Sequence, residues 1–331
     1  MTNQQNRIHY VLFGAATFLM SLYFSHMHIL MCDQAKKASL DLLLANLADT
    51  PFQYRVLVPW LVQWVSYRLI PNPASSIQIF TMMEFFFTFA LCIALRFYIG
   101  LFISDAVRAS VYALSIFLLL PYQYIFYTPS FHSIFYPSDI PSVFFFTLGL
   151  ILICKQNWFL YYPIFVIATF NRETTIFLVL IYWITTISKT NWPTVTCQCL
   201  IQVVLWLLIK HYLAVLYTDN PGPGIFVSFI STNWMKLGNP LNAIRVASSF
   251  CFVWVVVLLR FSLITSRFLQ KTTFVVFPYV IGLFIVGNIV ELRIFGELIP
   301  VVLSAFWLII DRSLFPLQNR NARLPDKRVE G

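Results

Sequence analysis

The sequence predicts an all-α polytopic membrane protein, and two observations carry that reading. Of 331 residues, 59% are hydrophobic and only 11% charged, with 34 phenylalanines, too little charge to cover a soluble domain of this length. Apolar runs long enough for membrane helices recur from one end of the chain to the other. The formal net charge of +9 would suit a nucleic-acid partner in a soluble protein. Here the basic residues fall between apolar runs, where they set membrane orientation, and no nucleic-acid partner is expected.

Taken in order, the apolar segments fall at about 8–31, 76–101, 106–127, 139–153, 157–170, 174–188, 193–216, 243–263, 273–289 and 293–311, which makes about ten predicted spans. Most are apolar all round, without the one-sided pattern of a soluble helix. The first carries no small-residue cleavage site and reads as a retained span. No repeat or low-complexity linker divides the chain. Residues 1–311 read as one integral membrane domain and 312–331 as a short basic tail.

Residues 55–70, "RVLVPWLVQWVSYRLI", are apolar enough to suggest an eleventh span. The distribution of positive charge decides against it. With ten spans and an inside N-terminus, the cytoplasmic loops and tail hold Arg7, Arg96, Arg108, Lys155, Lys189, Arg260, Arg267, Lys271, Arg312, Arg320, Arg323, Lys327 and Arg328. These are 13 of the 22 basic residues. An extra crossing at 55–70 would export nearly all of them. That segment is therefore expected on the outer surface, inside a first outer loop of about 32–75. Residues 34–48, "QAKKASLDLLLANLA", read as a second interfacial helix, with Lys36, Lys37 and Asp41 opposite a leucine-rich face.

The acids fall unevenly on this topology. Asp33, Asp41, Asp49, Asp139, Glu173, Asp219, Glu291 and Glu297 are all expected outside, and Glu84 lies in the outer half of the second span. Three groups stand at span boundaries: Asp139 in "YPSDIPSVFFF", Arg172 with Glu173 in "FNRETTIFL", and Glu291, Arg293 and Glu297 in "VELRIFGELIP". Spans four to six are only 14–15 residues, about 22 Å against a hydrocarbon core of roughly 30 Å. Their outer ends are expected to sit below the membrane surface, with Arg172 and Glu173 lining a water-filled recess where charge is tolerable.

Plainer roles are open for each group. Asp139 suits a helix N-cap, with Pro141 in the first turn. Arg172 and Glu173 suit the two ends of a helical hairpin, and Glu291 with Arg293 suits a structural ion pair. Asp219 in "TDNPGPG" reads as a turn residue, His26 and His28 as interfacial, and His132 as structural. The cysteines, Cys32, Cys92, Cys154, Cys197, Cys199 and Cys251, read as packing residues. Neither cysteines nor histidines show metal-ligand spacing. No cofactor is predicted, and a divalent metal is left open.

Four stretches carry a family resemblance: "LADTPFQYRVLVPWL" (47–61), "YPSDIPSVFFF" (136–146), "FNRETTIFL" (170–178) and "VELRIFGELIP" (290–300). With their Tyr-Arg-x-Leu-x-Pro, Arg-Glu-Thr and Glu-x-Arg patterns, they resemble motifs of bacterial membrane glycosyltransferases of the GT-C fold, over roughly residues 8–311. The resemblance implies a cytoplasmic N-terminus, interfacial helices and an essential acid in the first outer loop, and a polyprenyl-phosphate sugar as donor. It implies a glycan, lipid or protein acceptor on the outer face of a bacterial inner membrane, with both termini cytoplasmic. Asp49 is the first candidate for the general base and Asp33 the second. Arg55, Arg172 and Arg293 would meet the donor phosphate. Asp139, Glu173, Glu291 and Glu297 would bind sugar hydroxyls or hold those arginines. The chain departs from the family in lacking an Asp-Glu pair in the first loop and a large soluble C-terminal domain. A transporter or flippase of lipid-linked glycan, a surface-polysaccharide polymerase or ligase, and a structural assembly protein are the competing readings. Tyr54, Trp60 and Tyr136 suit sugar stacking, but among so many aromatic residues the membrane-belt role is the simpler expectation for each.

Overall fold

The computed structural model describes residues 3–68, 76–125, 133–224 and 227–316. Among them the chain is almost wholly helical, as an integral membrane protein must be where lipid offers the backbone no partners. Helix α1 (Asn3–Met31) lies against α4 (Ser76–Ile99), and α4 in turn packs on α7 (Asp139–Cys154). Between α1 and α4 come α2 (Leu40–Leu44) and α3 (Leu57–Arg68). Helices α5 (Ala106–Leu114) and α6 (Ile116–Tyr124) form one nearly continuous rod, capped by Asp105, which accepts from the backbone of Val107 and Arg108. Helices α8 (Trp158–Asn171), α9 (Ile176–Thr186) and α10 (Trp192–Leu216) follow. The last third comprises α11 (Ile230–Leu237), α12 (Pro240–Ala247), α13 (Val253–Leu259), α14 (Arg267–Thr273), α15 (Val276–Val286) and α16 (Ile299–Leu314).

Among the described residues six segments are long and apolar enough to cross a membrane: Arg7–Met31, Ser76–Ile99, Ala106–Tyr124, Trp192–Leu216, Arg267–Val286 and Leu292–Leu314. Two further helical segments, Pro240–Ala247 and Ser249–Leu259, reach that length only when taken together and are bent by 64° at their junction, the geometry of a broken span or a re-entrant loop. Three shorter apolar helices, α7, α8 and α9, hold 16, 14 and 11 residues. Helical segments thus stand at each of the ten predicted positions. The segment Leu292–Leu314 is 83% buried and Trp192–Leu216 only 22%, which puts α16 at the centre of the bundle and α10 on its periphery.

The bent pair has an identifiable cause. Phe250, Cys251 and Phe252 all take left-handed backbone conformations, with φ of 57°, 52° and 59°, each costing a non-glycine residue about 1–2 kcal/mol. Side chains fill the broken ladder. Gln123 accepts from the Phe250 amide at 3.2 Å and donates to the Leu292 carbonyl. Trp254 donates to the Ala247 carbonyl at 2.8 Å. Gln123 therefore ties the break to the turn that precedes α16.

The first loop departs from expectation in one respect. The predicted interfacial helix over 34–48 shrinks to Leu40–Leu44. Upstream, β1 (Asp33–Gln34) pairs in parallel with β2 (Ile134–Phe135), and Gln34 turns its side chain to accept from the Leu40 amide. Downstream, Asn46 is left-handed, with the Leu47 amide returning to the Leu42 carbonyl, an ordinary helix stop. The amphipathic pattern survives: Leu40 and Leu43 are buried, while Lys36, Lys37 and Asp41 are exposed. Within the predicted 55–70 segment, Leu57–Arg68 forms the 12-residue helix α3, which packs on α2, α4 and α8.

The turn after α10 clasps this loop. Asn220 donates to the carbonyls of Asn46 and Ala48, both at 2.9 Å, and the Thr50 amide donates to the Pro221 carbonyl at 2.8 Å. Gly222 sits at φ 121°, and a Cβ there would lie 2.4 Å from the Thr50 carbonyl oxygen. "TDNPGPG" is a turn, as predicted, and one that holds the segment carrying Asp49.

All six cysteines are free, and Cys32 and Cys92 are buried. His132 and the predicted tail beyond residue 316 lie outside the described residues, as does the part of the predicted outer loop from 69 to 75.

Candidate functional site

Three helix junctions converge at one end of the bundle. The first is the start of α7, which presents Asp139. The second is the turn between α8 and α9, where the chain leaves the helix at Arg172 in extended conformation and re-enters through a single 3-10 turn over Glu173–Thr175. The third is the 3-10 segment Leu292–Leu298 before α16, carrying Arg293 and Glu297. Apolar packing dictates the close approach. A Cβ on Gly296 would fall 1.8 Å from the Tyr124 hydroxyl and 3.2 Å from Val143 Cγ2, so a glycine there lets this turn press against α6 and α7.

Asp139 is wholly buried and serves two arginines. Arg172 Nη1 donates to its Oδ1 at 3.2 Å, and Arg293 Nη1 approaches its Oδ2 at 3.2 Å. The N-cap position belongs to Ser138, so the Asp139 carboxylate is spent on the arginines and not on its own helix. Arg172 also lies 3.4 Å from Glu297. Glu297 accepts further bonds from Thr174 at 2.6 Å and Tyr279 at 2.8 Å. Arg293 additionally binds Glu291, and its guanidinium lies over the Tyr136 ring, 4.0 Å from the centroid.

A second group joins this one at the Arg172–Glu173 peptide bond. Arg55 donates to Glu173 at 2.8 Å, and Lys210 Nζ lies 3.7 Å from its other oxygen. Burial acts to raise the Glu173 carboxyl. Arg55, Lys210 and Arg172 together outweigh that and hold it well below the usual carboxylate range, so it stays ionised. The Trp206 indole donates to the Glu173 backbone carbonyl at 3.0 Å.

The two groups differ in access and charge. In the inner one, Asp139, Arg172, Glu297 and Arg293 are almost completely enclosed. The expected water-filled recess therefore does not reach Arg172, which is 3% exposed. In the outer one the Glu173 side chain is 36% exposed. The inner group sets three carboxylates against two guanidiniums; the outer sets two cations against one carboxylate. Together they balance, four against four.

Of the residues singled out from sequence, the network contains Arg55, Asp139, Arg172, Glu173, Glu291, Arg293 and Glu297. It does not contain the two expected bases. Asp49 is half-buried in the first loop and pairs with the exposed Lys37 at 3.4 Å. Asp33 is exposed on β1. Lys210 was missed. It sits six residues before the end of the 25-residue helix α10, where a lysine reads as snorkelling to the interface. The high cost of a charge inside an apolar run was the available signal.

His28, expected at the interface, is instead buried and bonded through Nδ1 to Glu84 at 2.6 Å. Phe24, Tyr124 and Phe135 surround its ring. His26 does face outward, in a groove of about 610 Å³ between α1 and α4, whose lining shares no residue with the ion network. Among the described residues no group of three or more metal-ligating side chains occurs.

These features define an all-α integral membrane protein with a buried, charge-balanced ion network at one end of its helices. No protein-family model, curated protein or solved structure matches the chain.

Proposed function

We propose that this protein is a membrane glycosyltransferase of GT-C-like architecture. It crosses a bacterial inner membrane ten times with both termini in the cytoplasm, and it transfers a sugar from a polyprenyl-phosphate donor to a glycan, lipid or protein acceptor on the outer face. One observation carries the reading: eight ionisable side chains, from the first loop, α7, the α8–α9 turn, α10 and the segment before α16, meet at the same helix ends. Sugar transfer from a lipid phosphate needs such a place, because the bond from the anomeric carbon to the phosphate oxygen breaks and leaves charge on the phosphate. Asp49 is the proposed base, taking the acceptor hydroxyl's proton as that oxygen attacks the anomeric carbon, with Asp33 second. Arg55, six residues after Asp49, is the proposed link between base and leaving group. The enclosed Asp139 and Glu297 hold Arg172 and the α8–α9 turn in place, and Arg293, held in turn by Glu291, secures Asp139.

The test is release of polyprenyl phosphate from a radiolabelled polyprenyl-phosphate hexose in proteoliposomes supplied with cell-envelope glycans, lipids and proteins. Release that is no faster with wild-type protein than with Asp49→Asn and Asp33→Asn variants removes the proposal.

A second reading, transport of a lipid-linked glycan, is favoured by the His28–Glu84 pair, since an ionisable pair in the interior of membrane helices is a common coupling element. It predicts that labelled lipid-linked sugar changes leaflet in proteoliposomes without chemical change, and that Glu84→Gln stops it.

A further inference from the structure

The outer group carries one cation more than it needs, and its donors are poorly used. Lys210 is 94% enclosed, being 6% exposed. Its partner is the Glu173 carboxylate at 3.7 Å, the separation of an ion pair and not of a hydrogen bond. The ammonium can donate three hydrogen bonds, and among the described residues Glu173 is the one acid it pairs with. Arg55 spends one Nη on Glu173, while its buried Nε has no partner. Glu173 itself is the most exposed member of the group. Its backbone is pinned by Trp206, so its side chain can rotate outward without moving the turn.

We propose that Arg55 and Lys210 form a phosphoryl-binding pair that Glu173 occupies in the resting protein. A phosphate-bearing ligand enters by displacing the Glu173 carboxylate toward solvent. With Glu173 withdrawn, two cations face the single charge of a phosphodiester donor or the double charge of the phosphate monoester left when its sugar departs. A phosphate also brings more acceptor oxygens than a carboxylate does, enough for both the ammonium and the unused guanidinium Nε. The inner arginines are unsuited to this task, because three carboxylates already outnumber them and they are shut away. The inference rests on the proposed function only for the lipid origin of the phosphate; the anion site itself stands on the geometry.

The experiment is calorimetric titration of the purified full-length protein in detergent with farnesyl phosphate, farnesol and inorganic phosphate, beside melting temperatures. Wild type is expected to bind farnesyl phosphate and not farnesol. Glu173→Gln removes the competing charge and should bind about tenfold more tightly; Lys210→Met should bind about tenfold more weakly. If inorganic phosphate follows the same order of variants, the phosphoryl group alone suffices. If only farnesyl phosphate does, the site takes lipid-borne phosphate. Should Glu173→Gln fail to fold, Glu173→Asp, with its shorter reach, should also tighten binding. Equal affinity in wild type, the Glu173 variant and a folded Lys210→Met overturns the proposal, as does the absence of any phosphate binding. Because no turnover is read, a protein that binds in this order but transfers no sugar would sink the transferase reading and leave the site standing.

Discussion

Arg293 Nη1 stands 3.2 Å from Asp139 Oδ2, although 154 positions separate the two residues. The contact joins the first turn of α7 to the segment before α16, and Asp139 grips Arg172 at the same time. One buried carboxylate therefore fastens three separate parts of the bundle. Removing one member of a buried pair strands its partners and costs about 3–5 kcal/mol. Asp139→Ala, which strands two guanidiniums, is expected to lower the melting temperature sharply in detergent, with or without ligand. A wild-type melting temperature would show that the arginines find other acceptors.

Asp49→Asn should behave in the opposite way. Its partner Lys37 is 76% exposed, and such pairs contribute about 0–1 kcal/mol. Thermal stability should stay at the wild-type level while sugar transfer falls roughly 100-fold or more, the usual scale for loss of a general base. Activity within a factor of two or three of wild type moves the base to Asp33, and full activity in both variants removes the first loop from the chemistry.

Gly296 offers a test of packing. Gly296→Ala drives a methyl into the Tyr124 hydroxyl, and overpacking of this kind costs about 1–3 kcal/mol. Tyr124 is fully buried and its hydroxyl has no hydrogen-bond partner, so Tyr124→Phe loses little. The double variant Gly296→Ala/Tyr124→Phe should recover part of the lost stability. A double variant no more stable than Gly296→Ala alone would place the clash elsewhere, at Val143.

Orientation is checked by membrane-impermeant thiol labelling in a cysteine-free background. Lys189→Cys, in the exposed turn before α10, should react only after the membrane is opened from the cytoplasmic side. Asp219→Cys, exposed in the turn after α10, should react in intact cells. Labelling of both from one side contradicts a crossing by α10 and the proposed topology with it.

The helical segments were legible because a membrane chain announces them by length and polarity alone. The charged helix junctions were legible for the same reason, since Asp139, Arg172, Glu173 and Arg293 interrupt apolar runs. Four things were hidden. Lys210 lies near a helix end, where the pattern of a snorkelling lysine and that of an inward ligand are identical. The side of the helix it faces depends on which neighbour α10 meets. His28 was hidden likewise, because its partner Glu84 is 56 positions away and only packing brings α1 and α4 together. The short reach of α2 was hidden because a parallel strand pair with residues 134–135 takes the start of the predicted helix, and strand pairing across that distance leaves no local mark. Enclosure was the most consequential surprise. The sequence shows that acids and bases occur together, but whether they face water or one another is decided by how the segment before α16 packs against α6 and α7.

The shortness of α7, α8 and α9 has a consequence for the lipid around the protein. At 16, 14 and 11 residues these helices measure about 24, 21 and 16 Å, against roughly 30 Å of hydrocarbon. Neighbouring lipids must shorten or tilt to meet them, at a cost of fractions of a kcal/mol for each ångström of mismatch. In the proposed ten-span topology the bilayer beside the exposed faces of α8 and α9 is therefore thinned. A polar headgroup in such lipid travels inward without leaving its own leaflet, so membrane thickness becomes a control on how readily the network is reached.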